Sequence, residues 1–170
     1  LRAFPVIRLA DGRWMNDTTP MMLWLENQYN EHSIMPEDPV TAFFVRLVED
    51  YADEWLWRPA ILSRWQNKEE RAYYQRLFPR ELKGARGVEA TIMGWVIPIH
   101  MQRHFLSGDG ITRKNREHVW SIYTDALARL ESIFAQQPYL MGDKPCLADF
   151  GFFASMFWHF SSDPAPSRMM

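Results

Sequence analysis

The strand-forming residues of this sequence are confined to its beginning. Two short apolar runs, residues 4–9 and 13–16, flank the dipeptide Asp11-Gly12. Asp-Gly between two such runs is the strongest short-range signal for a β-hairpin. A two-stranded hairpin is only marginally stable in water on its own. We therefore expect this hairpin to belong to a larger sheet that the sequence does not contain, and we expect the residues that follow to build the core.

Helical patterns dominate the rest of the chain. A capping aspartate followed by threonine and proline at residues 17–20 is typical of a helix start, which makes the first thirty residues strand–turn–strand–helix. Residues 31–37 are predicted to be a linker. Apolar periodicity and turn residues then predict five helices, over residues 38–65, 67–78, 88–105, 112–136 and 147–160.

Prolines and apolar composition refine this helical prediction. Pro59 and Pro98 are expected to kink the helices that contain them, and Pro79 is expected to lie in a loop. Thr112 is expected to cap the fourth of the five helices. The last helix is apolar nearly all round, which predicts a position at the centre of the bundle.

Composition and charge exclude several classes of protein. With 47% hydrophobic and 24% charged residues, the chain can form a sizeable core, so disorder is excluded. Its formal net charge of -2 gives no general attraction to nucleic acid or an anionic membrane. No apolar run reaches the roughly 18 residues of a membrane span. The one cysteine excludes a disulfide framework. We expect a cytoplasmic protein with no nucleic-acid or membrane partner and no metal.

The first informative motif lies before the last predicted helix. Residues 139–150 contain Cys146 at the expected helix start and Asp149 three residues later. In a capping box, the carboxylate of Asp149 accepts from the backbone N–H of residue 146. Cys146 replaces the usual Ser or Thr, and a thiol is a weak acceptor. We interpret Cys146 and Asp149 as a structural capping box, in preference to a catalytic thiolate at a helix N-terminus.

The second motif is at the other end of the chain. Phe4-Pro5 precedes the first strand, and Asp17-Thr18 stands at a helix start. A cis X-Pro bond exposes the neighbouring backbone N–H and C=O groups, with which a peptide can pair. A helix N-terminus with a hydroxyl group offers donors to a carboxylate, while Asp17 can accept from an amino group.

In this order and about 125 residues apart, the two motifs resemble those of the glutathione S-transferase family. The resemblance implies a mainly α fold: a glutathione-transferase-like helical bundle preceded by the end of a thioredoxin-like α/β domain, a β-hairpin plus helix. It assigns residues 1–30 to the thioredoxin-like domain, residues 31–37 to a linker and residues 38–170 to the helical domain. The family's catalytic Tyr, Ser or Cys lies in an earlier βαβ unit that this sequence does not contain, so the catalytic residue is unknown.

The resemblance also implies ligands and functional residues. The main chain of Phe4, next to Pro5, is expected to hold the cysteinyl part of glutathione, and Asp17 with Thr18 the γ-glutamyl part. Glutathione would be the co-substrate, and an apolar electrophile would be the second substrate. The electrophile pocket is expected on the first long helix of the helical domain, at three residues: Tyr51, Trp55 and Arg58. A homodimer is also implied by the family.

Two alternatives to this enzyme remain open. The first is a non-catalytic member of the same fold that serves as a binding or assembly module. The second is an unrelated helical bundle that binds an apolar ligand, in which case both motifs are accidental.

Other polar residues point to no further site. His100 and His104 have metal-ligand spacing but no third ligand, His159 has no partner pattern, and the basic residues from 64 to 86 are interpreted as a solvated face.

Overall fold

The computed structural model describes residues 5–66 and 68–170 and confirms the mainly α prediction. Two strands come first, β1 (Val6–Arg8) and β2 (Trp14–Asn16). The helices follow in the order α1 (Thr18–Gln28), α2 (Pro39–Asp50), α3 (Trp57–Gln66), α4 (Lys68–Lys83), α5 (Gly87–Met101), α6 (Arg116–Phe134), α7 (Leu147–Ser155) and α8 (Pro164–Ser167). A 3₁₀ turn at Asn30–His32 opens the linker. Three π-helical segments, Tyr51–Trp55, Gln102–Leu106 and Met156–Ser161, extend α2, α5 and α7.

The hairpin forms where the sequence places it. β1 and β2 pair antiparallel, with Ile7 opposite Met15. Gly12 has a φ of 89°, a conformation that favours glycine, and its N–H donates to the Leu9 carbonyl at 3.0 Å. β1 and β2 are the only strands of the sheet within the described residues. A hairpin followed directly by α1 is consistent with the end of a thioredoxin-like domain.

The main hydrophobic core lies between α2, α6, α7 and the π-helical segment after α2. Its least exposed members include Val45, Leu56, Tyr123, Leu147 and Phe160. The rings of Tyr123 and Phe160 stack with their centroids 4.0 Å apart. Burial of such aromatic and aliphatic side chains provides the main stabilisation of a helical bundle, at about 1.5–3 kcal/mol for each fully buried side chain. The core therefore fixes α7 against α2.

The predicted central position of α7 is wrong for one of its faces. Gly151 and Phe152 on this helix are buried, but Phe150, Phe153 and the following Phe157 are 44–61% exposed. One face packs on α2, whereas the opposite face is open. A helix that is apolar on all sides need not be buried on all sides of a single chain. Its exposed apolar face can be a surface that a partner covers.

The prolines shape the helices differently from the prediction. The long helix predicted over residues 38–65 is interrupted at Tyr51–Trp55, and Pro59 is the third residue of α3, which follows. Since a proline ring clashes with the carbonyl four residues earlier, the widened turn at Trp55 relieves the clash. Pro79, predicted to lie in a loop, is instead buried inside α4.

Helices α4 and α5 form a close-packed hairpin. Because Pro79 has no N–H, the carbonyl of Gln75 lacks its usual helical donor. Gly94 of α5 lies against that carbonyl: a Cβ atom at Gly94 would be only 2.7 Å from the Gln75 oxygen. Glycine thus permits the two backbones to approach closely. On the other side of the hairpin, Trp65 and Tyr74 belong to a second hydrophobic cluster.

Two further details complete the fold. Asn115, and not Thr112, is the residue that precedes α6, and the Asn115 side chain accepts from the backbone N–H of Thr112 at 2.7 Å. Among the described residues, no helix has both the length and the apolar content needed to cross a membrane.

Candidate functional site

The start of α1 has the most unusual backbone of the molecule. Asp17 has a φ of 78°, and it is the only non-glycine residue with a positive φ in the described part of the chain. This conformation costs a residue with a side chain of the order of 1–3 kcal/mol and is concentrated at functional sites. The Asp17 carboxylate caps α1 by accepting from the Thr19 N–H at 3.3 Å. The strain therefore fixes an exposed carboxylate at a helix N-terminus.

Thr18 is placed to act beside that carboxylate. Its side chain is half-buried, and its hydroxyl group makes no hydrogen bond with any described residue. As the first residue of α1, it also has a backbone N–H that no intrahelical carbonyl satisfies. The helix start thus offers a free acceptor on Asp17 and two free donors on Thr18.

A second carboxylate closes the site from the helical domain. Glu49 of α2 is 4% exposed and accepts from the Thr19 hydroxyl at 2.6 Å. Burial raises the pKa of Glu49 above its ordinary value, the hydrogen bond from Thr19 opposes this rise, and the negative charges of Asp53, Asp50 and Asp17 add to it. The hydrogen bond joins α1 to α2, and the combined negative charge favours a cationic group such as an ammonium.

The remaining predicted glutathione-binding residues are only partly described. Phe4 lies outside the described residues. Pro5 is exposed directly before β1. β1 pairs with β2 in the hairpin, and β2 leads to Asp17. The hairpin thus connects Pro5 and Asp17 through one short antiparallel sheet.

The three residues predicted for the electrophile pocket face different environments. Tyr51 is half-buried, packs against Phe152 with ring centroids 6.2 Å apart, and donates its hydroxyl to the Ile122 carbonyl at 3.5 Å. Trp55 is 49% exposed, and the Arg58 guanidinium lies 4.7 Å from its ring centroid. Tyr51 thus contacts the core, whereas Trp55 and Arg58 form a stacked pair at the surface.

Cys146 and Asp149 make the contacts of a capping box at α7. The Asp149 carboxylate accepts from the backbone N–H of Cys146 at 2.8 Å and from its thiol at 3.1 Å. Its second oxygen accepts from the Leu140 N–H at 2.9 Å, and the Leu147 N–H donates to the Ile34 carbonyl at 3.0 Å. Burial, reinforced by the Asp149 carboxylate, raises the pKa of Cys146 to about 11. A protonated, buried thiol is a poor nucleophile, which agrees with a structural role.

Sequence analysis missed a buried polar network. Arg64, assigned to a solvated face, donates from Nε to Asp163 at 2.6 Å, and both side chains are nearly buried. The Tyr74 hydroxyl also donates to Asp163. Nη2 of Arg64 lies 3.2 Å from Nδ1 of His159. The residues are up to 99 positions apart, so no local pattern signals the network, which joins α3, α4 and the end of α7.

Metal ligation finds no support in the described part of the chain. No group of three or more histidine, cysteine or acidic residues there could hold a metal ion. His100 and His104 contact each other, with ring centroids 4.4 Å apart. Their contact is therefore a ring–ring interaction at the surface.

Comparison with models of known families identifies the helical region. Residues 88–169, which include α6, the capping box and α7, match the glutathione S-transferase C-terminal domain. No curated protein matches the chain. The family match extends over the same capping box that carried the sequence resemblance. Residues 88–169 therefore form a glutathione S-transferase C-terminal domain, which confirms the resemblance carried by the capping-box motif; the motif at residues 4–18 lies outside the match.

Proposed function

We propose that this chain is part of a glutathione transferase that conjugates glutathione to an apolar electrophile. In this reaction the thiol of glutathione gives its proton to the enzyme or to solvent, and the thiolate sulfur forms a bond to an electrophilic carbon. The bond from that carbon to its leaving group breaks, and the leaving group departs with the electron pair. The proposal applies to the protein with a complete thioredoxin-like domain, because the catalytic donor is assigned to none of the residues present here.

The strained start of α1 is the observation that carries the proposal. Asp17, fixed at a φ of 78°, presents a carboxylate that can accept from the γ-glutamyl ammonium group. The free hydroxyl and backbone N–H of Thr18 can donate to the neighbouring γ-glutamyl carboxylate. A zwitterion whose ammonium and carboxylate groups are attached to the same carbon fits one acceptor beside two donors. In this proposal the main chain of Phe4, next to Pro5, pairs with the cysteinyl unit.

The electrophile would meet glutathione at the aromatic residues that follow α2. Trp55 has a half-exposed ring, and the Arg58 guanidinium lies over that ring, 4.7 Å from its centroid. Tyr51 connects this region to the core through its contact with Phe152. The apolar ring of Trp55 next to the cation of Arg58 suits an apolar electrophile that carries a polar substituent. In this proposal the protein acts in the cytoplasm as a homodimer and uses no metal.

The alternative is a non-catalytic binding or assembly module of the same fold. The observation that favours it is the exposed apolar surface of the helical domain. Phe43 and Phe44 of α2 and Phe153 of α7 are all at least half exposed. Surfaces of this kind usually contact another protein. A homodimer would cover one of these surfaces whether the protein is an enzyme or a non-catalytic module.

Isothermal titration of glutathione into the chain tests the proposal. The site variant Asp17→Ala/Thr18→Ala removes the acceptor and the donor. The control variant Asp38→Ala/Thr41→Ala removes the equivalent cap of α2, where Asp38 accepts from the Thr41 N–H at 2.7 Å. We expect saturable binding to the chain and to the control, and at least tenfold weaker binding to the site variant, since two charge-assisted contacts are lost.

Each other outcome has a definite meaning. Equal binding by the site variant would show that glutathione is held elsewhere, which would contradict the assignment of Asp17 and Thr18. A lack of binding to the chain itself would favour the non-catalytic module or a glutathione site that requires the complete thioredoxin-like domain. Thermal unfolding of both variants, monitored by circular dichroism, verifies that each remains folded.

A further inference from the structure

Helix α5 carries an apolar stripe that no described residue covers. Its members are 53–76% exposed and recur at intervals of one to four residues along one face; they are Val88, Ile92, Trp95, Val96 and Ile99. The opposite face, with Gly94 and Pro98, is buried. Contiguous exposed apolar patches of this kind mark surfaces that meet a partner or a membrane.

Unpaired arginines border this stripe. Arg76 and Arg80 lie one turn apart on α4, and Arg86 directly precedes α5. None of the three forms an ion pair or a side-chain hydrogen bond with a described residue. A guanidinium is always charged at physiological pH and binds phosphate oxygens in a bidentate manner. The three side chains are therefore free to bind an external anion.

Two adjoining cavities connect the arginines to the stripe. A cavity of about 390 Å³ between α4 and α5 is lined by Arg76, Arg80 and Trp95. A second cavity, of about 480 Å³, is lined by Arg80 and Arg86. Arg80 and Gly87 line both. Cations and exposed apolar side chains thus share one continuous surface, which we call the α4–α5 face.

We propose that the α4–α5 face docks on an anionic lipid bilayer. The stripe of α5 would enter the interfacial region of the bilayer, and the arginines would bind headgroup phosphates in the two cavities. An exposed apolar helix face that carries tryptophan and is bordered by arginine has the composition of surfaces that bind the interfacial region of anionic bilayers. The proposal is independent of the proposed glutathione conjugation.

Charge complementarity selects this occupant over an apolar protein. An apolar partner would bury the three arginines without a counter-charge, which is costly. A bilayer supplies phosphates at the border of its apolar interior. Arg103 is exposed beyond the other end of α5, whereas Glu81 and Glu89 are the acidic residues nearest in sequence to this surface. The net charge of -2 is the sum over the whole chain and does not describe the local charge of this face.

Co-sedimentation of the full chain with lipid vesicles tests the proposal. We compare vesicles of phosphatidylcholine alone with vesicles that also contain phosphatidylglycerol. The chain is expected to sediment with the anionic vesicles and to be released by salt. Arg76→Gln/Arg80→Gln should weaken binding by about fivefold per arginine. Ile92→Ser/Trp95→Ser should weaken it by about tenfold or more, because interfacial binding scales with buried apolar area.

Matched variants separate this face from general charge and hydrophobicity. Arg113→Gln/Lys114→Gln removes two exposed cations elsewhere, and Phe153→Ser/Phe157→Ser removes two exposed aromatic residues near α7. Both controls should bind anionic vesicles like the unchanged chain.

Four results would overturn the proposal. Equal binding to neutral vesicles would show that the arginines do not bind headgroup phosphates. Equal losses in the controls would show that the α4–α5 face has no particular role. Normal binding by Ile92→Ser/Trp95→Ser would show that the stripe does not enter the bilayer. Lack of vesicle binding, together with dissociation of an oligomer by Ile92→Ser/Trp95→Ser in light scattering, would identify a second copy as the occupant.

Discussion

Helices α5 and α7 are both apolar nearly all round, yet their exposed faces have different surroundings. α7 buries Gly151 and Phe152 against α2 and exposes Phe153. α5 buries Gly94 against α4 and exposes Trp95 beside a cavity that arginines also line. The sequence from residue 147 to residue 161 contains no lysine or arginine. A neighbouring helix, and not the apolar helix itself, therefore sets the charge around an exposed face.

The two helices also differ in how they are anchored. α5 is held by close backbone approach at Gly94 and by packing of its inner face. The π-helical end of α7 is held by a buried polar network, in which His159 contacts Arg64 and Arg64 pairs with Asp163. Apolar side chains can repack when a neighbouring helix shifts, whereas a buried ion pair is broken unless both charged groups keep their positions. The following predictions compare these two anchors.

The largest effect is expected from loss of the buried ion pair. Asp163→Ala should lower the free energy of unfolding by about 3–5 kcal/mol, because the charge of Arg64 is left buried without a partner. Glu69→Ala, which breaks the exposed pair with Arg168 at 3.8 Å, is the matched control and should change little. Urea unfolding measures both variants.

A double variant distinguishes an uncompensated charge from a lost shape. Arg64→Met/Asp163→Leu removes both charges and should recover much of the stability lost in Asp163→Ala. If the double variant is less stable than Asp163→Ala, the pair contributes through its geometry and not through charge compensation alone.

The glycines on the buried faces give the second comparison. Gly94→Ala should destabilise the protein by about 1–3 kcal/mol, because the new Cβ would lie 2.7 Å from the Gln75 carbonyl oxygen and force the two backbones apart. Gly151→Ala places its Cβ 3.2 Å from Cγ of Glu49, a side-chain atom that can shift. Alanine also favours a helix over glycine by about 1 kcal/mol.

Thermal unfolding of the two alanine variants measures this difference. Gly151→Ala should unfold near the temperature of the unchanged protein, whereas Gly94→Ala should unfold several degrees lower. Equal melting temperatures would show that α4 and α5 separate freely, and would remove the distinction between the two helices.

Local signals in the sequence predicted part of this structure. Asp11-Gly12 defines the hairpin because turn geometry depends on adjacent residues, and the capping contact between Cys146 and Asp149 spans a single helical turn. The positive φ of Asp17 has no signal in the sequence, since capping aspartates ordinarily adopt extended backbone. The helix through Pro79 is also unpredictable from sequence, because the Gln75 carbonyl that Pro79 leaves without a helical donor lies against Gly94 of another helix.

The buried polar network around Arg64 could not be predicted from the sequence for a related reason. Arg64 was grouped with nearby basic residues by sequence distance, whereas its partner Asp163 is 99 residues away. Only the packing of α3 against the end of α7 brings them together. Residues that act across helices are therefore the ones that periodicity and capping rules cannot identify.

The smallest predicted effect concerns the protonation of His159. A guanidinium can only donate hydrogen bonds, so Nδ1 of His159 must accept from Arg64 and the ring is neutral. Burial, together with the adjacent charge of Arg64, lowers the pKa of His159 to about 4. The folded pKa lies below the unfolded value of about 6.5, so the unfolded state takes up the proton first as pH falls. Stability is therefore lost on acidification below about pH 6.5.

Replacement of the ring isolates this contribution from the other titrating groups. Between about pH 7 and about pH 5.5, the unchanged protein should lose about 1 kcal/mol more than His159→Asn in urea unfolding. His118→Asn, at an exposed position of α6, should retain the full pH dependence. If His159→Asn loses as much stability as the unchanged protein, His159 is protonated in the folded state. The contact with Arg64 would then be absent in solution, and the ion pair between Arg64 and Asp163 would remain as the polar contact that holds this end of α7.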